Sequence, residues 1–164
     1  MNEMKAKPRM PDEVGVPDPA PFMHPLSIKN YGTWDYHDRP RAGVLRHVSK
    51  SGDQLWTVRA GTQRQMDVYT IRKLCDIGDN YAEGYVRFTT RSNIEFMVED
   101  EAKVAPLIEE LTSNGFPVGG TGASVSMISH TQGWLHCDIP GTDASGVVKG
   151  LMDMLHSEFI KEEM

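Results

Sequence analysis

The residues best suited to chemistry fall in one short stretch, Gly84-Tyr85-Val86-Arg87-Phe88-Thr89-Thr90-Arg91. Its β-branched and aromatic residues, uninterrupted by proline, read as a strand. Strand side chains alternate, so Val86 and Phe88 share one face while Arg87, Thr89 and Arg91 share the other. Two guanidinium groups flanking a hydroxyl make a surface for an anion with several carboxylates or phosphates, because a guanidinium donates bidentate hydrogen bonds to such groups. The plainer alternative is a wet strand with ordinary surface charge. A second strand, predicted over 54–60, places Trp56 and Val58 on one face and Thr57 and Arg59 on the other, so Arg59 joins the basic set.

Other residues invite chemical readings and have simpler ones beside them. Gly120-Thr121-Gly122 could hold a phosphate on its backbone N–H groups. It lacks the third glycine and the strand-to-helix setting of a dinucleotide site, so a flexible connector is the simpler reading. His37, next to Asp38, is a ligand or a base in one reading and a polar loop residue in the other. Cys137 reads as a buried thiol or as a ligand of an iron–sulfur cube. A cube takes four outside ligands, and the other three are not in this sequence.

These side chains need elements to hold them. Residues 1–30 form an arm with six of the chain's prolines; regular structure is disfavoured there, and the apolar Phe22, Met23, Leu26 and Ile28 suggest that it lies along a surface, such as that of a partner subunit. Residues 43–48 read as a strand and Ser51-Gly52-Asp53 as a turn. A helix is predicted over 70–81, with Ile71, Leu74, Cys75 and Gly78 as its buried stripe and Asp67 or Thr70 as cap. The strand over 84–90 follows, then a strand over 94–98 and a helix over 101–113, delayed by Pro106 and stopped by Asn114-Gly115. Residues 124–129 read as a last strand. The order from residue 54 is strand, helix, strand, strand, helix, strand, which is the α+β, ferredoxin-like split βαβ pattern. Both helices cover one sheet face, and Arg59, Arg87, Thr89 and Arg91 lie on the other. Asp143 is placed to cap a final helix carrying Val147, Val148, Leu151, Met152, Leu155 and Phe159, whose apolar stripe needs a surface to pack on. No further element supplies one, so the chain reads as cut short.

The totals narrow the class of function. At 164 residues, with 39% hydrophobic residues, one domain and the start of another can be accommodated. A net charge of −6 argues against a protein that coats nucleic acid, though not against a local basic site. The start of the chain has charges but no apolar run, no segment reaches the ~20 apolar residues of a membrane span, and cysteines are few; together these point to the cytoplasm. Gly84-Tyr85-Val86-Arg87-Phe88 has a superficial likeness to the aromatic strand of RNA-recognition domains. There the motif sits on the third strand and here on the second, and Phe88 is expected to face the helices.

Val86-Arg87-Phe88-Thr89-Thr90-Arg91 resembles the R-x-T-x-R motif of the siroheme-dependent sulfite and nitrite reductases. More closely, Lys29-Asn30-Tyr31-Gly32-Thr33-Trp34, Cys75-Asp76-Ile77, Arg91-Ser92-Asn93-Ile94-Glu95-Phe96-Met97-Val98, Gly119-Gly120-Thr121-Gly122-Ala123, His130-Thr131-Gln132-Gly133-Trp134-Leu135-His136-Cys137 and Thr142-Asp143-Ala144-Ser145-Gly146 are similar to segments of the beta subunits of dissimilatory sulfite reductases. The likeness runs over about residues 29–155. It implies a ferredoxin-like half-domain over 31–130, the start of a cluster-binding domain over 131–164, and 1–30 as an arm before them. It implies an enzyme of two alpha and two beta chains that reduces sulfite by six electrons toward sulfide, at siroheme coupled to a 4Fe–4S cluster. A small sulfur-carrier protein is a further implied partner. By the same resemblance Arg87 and Arg91 hold siroheme carboxylates with Thr89 between them, Arg59 lies near haem or sulfite, Thr131 belongs to the cofactor-binding run, and Cys137 is the first of four cluster ligands. The family's later cysteine run, which holds the other three, is absent. Rival readings are an assimilatory-type sulfite or nitrite reductase, and a cofactor-free binding module of the same fold, either RNA-binding or regulatory.

Overall fold

The computed structural model describes residues 18–121, 124–136, 138–139 and 141–162. Five strands make one sheet: β1 (Trp34–Arg41), β2 (Val44–Ser49), β3 (Gln54–Ala60), β4 (Val86–Phe88) and β5 (Ile94–Val98). They run in the order β1-β2-β3-β5-β4 with every neighbouring pair antiparallel. The helices are α1 (Pro25–Lys29), α2 (Val68–Tyr81), α3 (Val104–Ser113) and α4 (Ala144–Lys161). The architecture is α+β, as the pattern of elements predicts.

Alternation builds the core. Val44, Val58, Ala60, Ile94, Phe96 and Val98 all point to one face and are buried against Leu74 and Ile77 of α2 and Val104, Leu107 and Leu111 of α3. Burying each large side chain contributes about 1.5–3 kcal/mol. Gly78 lets α2 settle on the sheet, since a Cβ there would stand 3.0 Å from Val86 Cγ1. Asp67 caps α2 by accepting a hydrogen bond from the Thr70 N–H at 2.7 Å. The buried stripe of this helix is Leu74, Ile77 and Gly78. Cys75 and Ile71, expected on that stripe, are exposed instead, because the side facing the sheet is rotated toward Ile77.

Three further expectations are corrected. The run Trp34–Arg41 is a strand, where the expectation at His37 is only a loop. It is an edge strand with register shifts on both sides of its centre, where proline and charge are tolerated. Residues 124–129 form no strand. The flank of β3 that the fourth strand of the split βαβ pattern would take is held by β2, and a lone bridge, Ala60 to Val118, marks where the returning chain meets it. The strand expected over 84–90 narrows to Val86–Phe88, and Phe88 is 64% exposed rather than under the helices. Val86, by contrast, packs on the core.

The described part of the proline-rich arm is held by its own chain, at the turn over 51–53 and at Tyr85. Pro21 and Pro25 occupy helix starts, where a missing N–H costs nothing. His24 is buried, sets its ring edge-on to Tyr85 at 4.9 Å and caps α1 by accepting from the Leu26 N–H. Buried Asn30 donates to Asp53 at 3.0 Å and accepts from Ser51, while Lys29 pairs with Asp53 at 2.8 Å. These donors hold the Asp53 carboxyl well below the usual carboxylate range. Residues 1–17 lie outside the described residues. At the other end, Asp143 caps α4 as expected, yet no residue of that helix is fully buried and Val147 and Met154 are largely exposed.

Candidate anion-binding site

The face of the sheet away from α2 and α3 carries the basic set. Arg59 on β3 and Arg87 on β4 both stand directly opposite Glu95 on β5, so the three side chains are cross-strand neighbours on one face. Glu95 Oε2 accepts from Arg59 Nε at 3.0 Å and Nη2 at 2.7 Å, and Oε1 accepts from Arg87 Nη2 at 2.8 Å. The Glu95 side chain is 3% exposed, that of Arg59 14% and that of Arg87 56%. A depression of about 200 Å³ opens beside them, lined by Arg59, Arg87, Phe88, Thr89, Thr90 and Arg91. The three arginines singled out from the sequence are thus brought together. Their charge is offset by one carboxylate, which leaves a surplus of positive charge around the depression.

The rim is held by a short, well-bonded turn. The Thr89 N–H donates to the Asn93 carbonyl at 2.8 Å, and the Thr89 hydroxyl accepts from the Asn93 N–H at 3.1 Å. Thr89 therefore shapes the turn as well as lining the depression. Ser92 takes a left-handed φ of 61°, and its carbonyl accepts from Thr62 Oγ1. Arg91 Nε donates to Ser126 Oγ at 3.0 Å, tying the rim to the later chain.

Further along the same face, His37 and His47 pair across β1 and β2 with their Nδ1 atoms 2.7 Å apart, and His47 Nε2 lies 3.1 Å from Thr57 Oγ1. His37 thus sits on a strand and not in the loop expected for it. Burial, then the neighbouring His37, pushes the His47 pKa down to about 4. A larger, mostly apolar cavity of about 750 Å³ lies between α4 and the chain at Phe116, Pro117 and Met127, bordered by Val148, Met152 and His156.

Two other sequence candidates stand apart from the depression. Thr131 is exposed and accepts from the Gly133 N–H at 3.3 Å. Cys137 lies outside the described residues, as does Gly122. Gly119 to Thr121 read as a flexible connector but are buried and anchored. Thr121 Oγ1 accepts from the Gly43 N–H at 3.1 Å, and a Cβ on Gly120 would meet Ser126 Cβ at 2.1 Å. Close approach, not freedom, explains the glycine there. Glu95 escaped sequence reasoning; its signal was a single acid between Ile94 and Phe96 in an otherwise apolar strand.

Residues 47–114 match the family described as the nitrite/sulfite reductase ferredoxin-like half domain. The chain is 52% identical over 145 residues to the dissimilatory-type sulfite reductase beta subunit of Nitratidesulfovibrio vulgaris, covering 84% of this chain and 38% of that one. It is 46% identical to the beta subunits of Archaeoglobus fulgidus, over 93% of this chain and 43% of that one, and of Megalodesulfovibrio gigas, over 93% and 63%. The chain therefore spans less than two thirds of the length of these relatives. Residues 47–114 thus carry a nitrite/sulfite reductase ferredoxin-like half domain, and the relatives the chain resembles are beta subunits of the dissimilatory type.

Proposed function

We propose that the chain is part of a dissimilatory sulfite reductase beta subunit and that the basic depression holds carboxylates at the edge of a siroheme-type tetrapyrrole. The observation that carries this is the convergence of Arg59, Arg87 and Arg91 on one depression of a rigid sheet face. A polycarboxylate needs cationic donors held in place, and guanidinium groups anchored by sheet register meet that need. A siroheme bound there and coupled to a 4Fe–4S cluster would relay electrons from an outside donor for the six-electron reduction of sulfite toward sulfide. The chain's own part is to bind and orient: Arg87 and Arg91 present donors at the mouth, Arg59 supplies charge from a more buried position, and Thr89 holds the turn that fixes Arg91. Cys137 is a cluster ligand in this reading, with its three companions outside these 164 residues.

The same reading assigns an alpha subunit as partner in an assembly of two alpha and two beta chains, with a small sulfur-carrier protein as a further partner, in the cytoplasm. Among the described residues no helix is long and apolar enough to cross a membrane. The relatives favour the dissimilatory type over an assimilatory-type enzyme and over a cofactor-free module. The test is Arg87→Ala in the complete complex. Siroheme content per protomer is expected to fall while the complex still assembles; undiminished content would count against the assignment. Cys137→Ser is expected to lower the iron content of the same complex, and a full complement of iron would remove Cys137 from the cluster.

A further inference from the structure

We propose that Glu95 is the positioning residue of this basic depression: a buried carboxylate that presets Arg59 and Arg87 for the carboxylates of the ligand. The inference rests on reading the depression as the tetrapyrrole edge. A carboxylate inside an anion site is at first sight misplaced, since it repels the ligand. Glu95 is nevertheless 3% exposed and uses both oxygens, one on each arginine. Its charge is thus taken up by the protein rather than offered to the ligand.

What it leaves is a defined set of donors. The guanidinium is a planar fork with five N–H groups. Glu95 occupies the Nε–Nη2 edge of Arg59 and one amino group of Arg87. Nη1 of Arg59, and Nε and Nη1 of Arg87, have no partner among the described residues. Both residues line the depression, so these are the groups a ligand carboxylate can use. Without Glu95, Arg59 would be a nearly buried cation with no partner, close to a second cation across the sheet. Register supplies the geometry: only the β5 position opposite both Arg59 and Arg87 reaches the two at once.

Charge alone and positioning predict opposite signs for one substitution. Glu95→Gln removes the negative charge, so a purely electrostatic site would hold its anion more tightly. If Glu95 positions, the Gln amide turns a donor toward one guanidinium, frees it to rotate, and retention falls. Glu95→Asp keeps the charge but shortens the reach, and is expected to lower retention as well. The experiment measures tetrapyrrole content per protomer, by absorption of the purified complete complex, for Glu95→Gln, Glu95→Asp and Arg87→Ala, with the unfolding midpoint of each as a control on folding. Several-fold loss in both Glu95 variants, at retained assembly, is the expected result. Unchanged or raised content in Glu95→Gln overturns the proposal, as does an Asp variant indistinguishable from the parent. If single variants fail to assemble, Arg59→Met is compared with Arg59→Met/Glu95→Met, which removes the buried pair together. Greater loss in the double variant supports positioning through Arg87, and equal content refutes it. Full tetrapyrrole content in Arg87→Ala overturns the underlying reading, and the role of Glu95 falls with it, whereas loss in Arg87→Ala with none in the Glu95 variants removes the positioning role alone.

Discussion

The two faces of the sheet are made by alternate residues of the same strands, and they differ in what holds them together. Under α2 and α3, Val58, Phe96, Leu107 and their neighbours are joined by contact and exclusion of water. On the other side, Glu95, Arg59, Arg87, His47 and Thr57 are joined by directed hydrogen bonds between charged or titratable groups. The first face tolerates no gap but is indifferent to pH. The second is sensitive to which partner is removed and to protonation. The comparison suggests a division of labour in which one side supplies free energy and the other uses the resulting rigidity to aim donors.

Substitutions can break or sharpen that contrast. Phe96→Ala on the covered face is expected to cost about 3–5 kcal/mol, through lost burial and the cavity left behind, measured by denaturant unfolding. A cost near zero would mean that the helices do not seal this face. On the open face Arg59→Met is expected to cost about 1–3 kcal/mol, because Glu95 keeps only Arg87 as partner. Arg87→Met should cost less than about 1 kcal/mol, as the Arg87 side chain is 56% exposed. Equal costs for the two would contradict the unequal burial seen here.

Acid should act on the open face. His47 is held neutral in the folded chain, with its pKa lowered from 6.5 to about 4. The unfolded chain binds this proton near pH 6.5 and the folded chain does not, so the contribution to stability is complete above that pH and is lost as pH falls toward 4. One proton limits the slope to about 1.4 kcal/mol per pH unit. His47→Gln should flatten this part of the stability–pH curve, and an unchanged curve would exclude His47 as its source. The smallest effect is expected on α4, where Met154→Gln should shift stability by no more than about 0.5 kcal/mol, since Met154 is 76% exposed.

Much of this arrangement was legible before any coordinates. Alternation placed Arg59 and Arg87 on one side of the sheet, because a period of two is rigidly tied to facing, whereas Arg91, expected on the same strand, reaches the depression from the turn after β4. Glu95 was not legible, since an acid at an alternate position reads as solvated until register shows two cations opposite it. Trp34–Arg41 was missed for a related reason: an edge strand with bulges need not alternate cleanly. Phe88 was assigned to the correct side of its strand, but the helices do not extend over it. Cys75 was misplaced because several apolar residues compete for one helical stripe, and only packing decides among them.

The family match begins at residue 47, inside strand β2 (Val44–Ser49). A fragment excised there would lose Val44, which is buried opposite Val58, and would strip β3 of most of its outer neighbour. It would also separate Asp53 from Asn30 and His47 from His37. The segment that sequences in this family hold in common is therefore smaller than the piece able to keep itself closed. That piece reaches back at least to His24, whose ring is sealed against Tyr85.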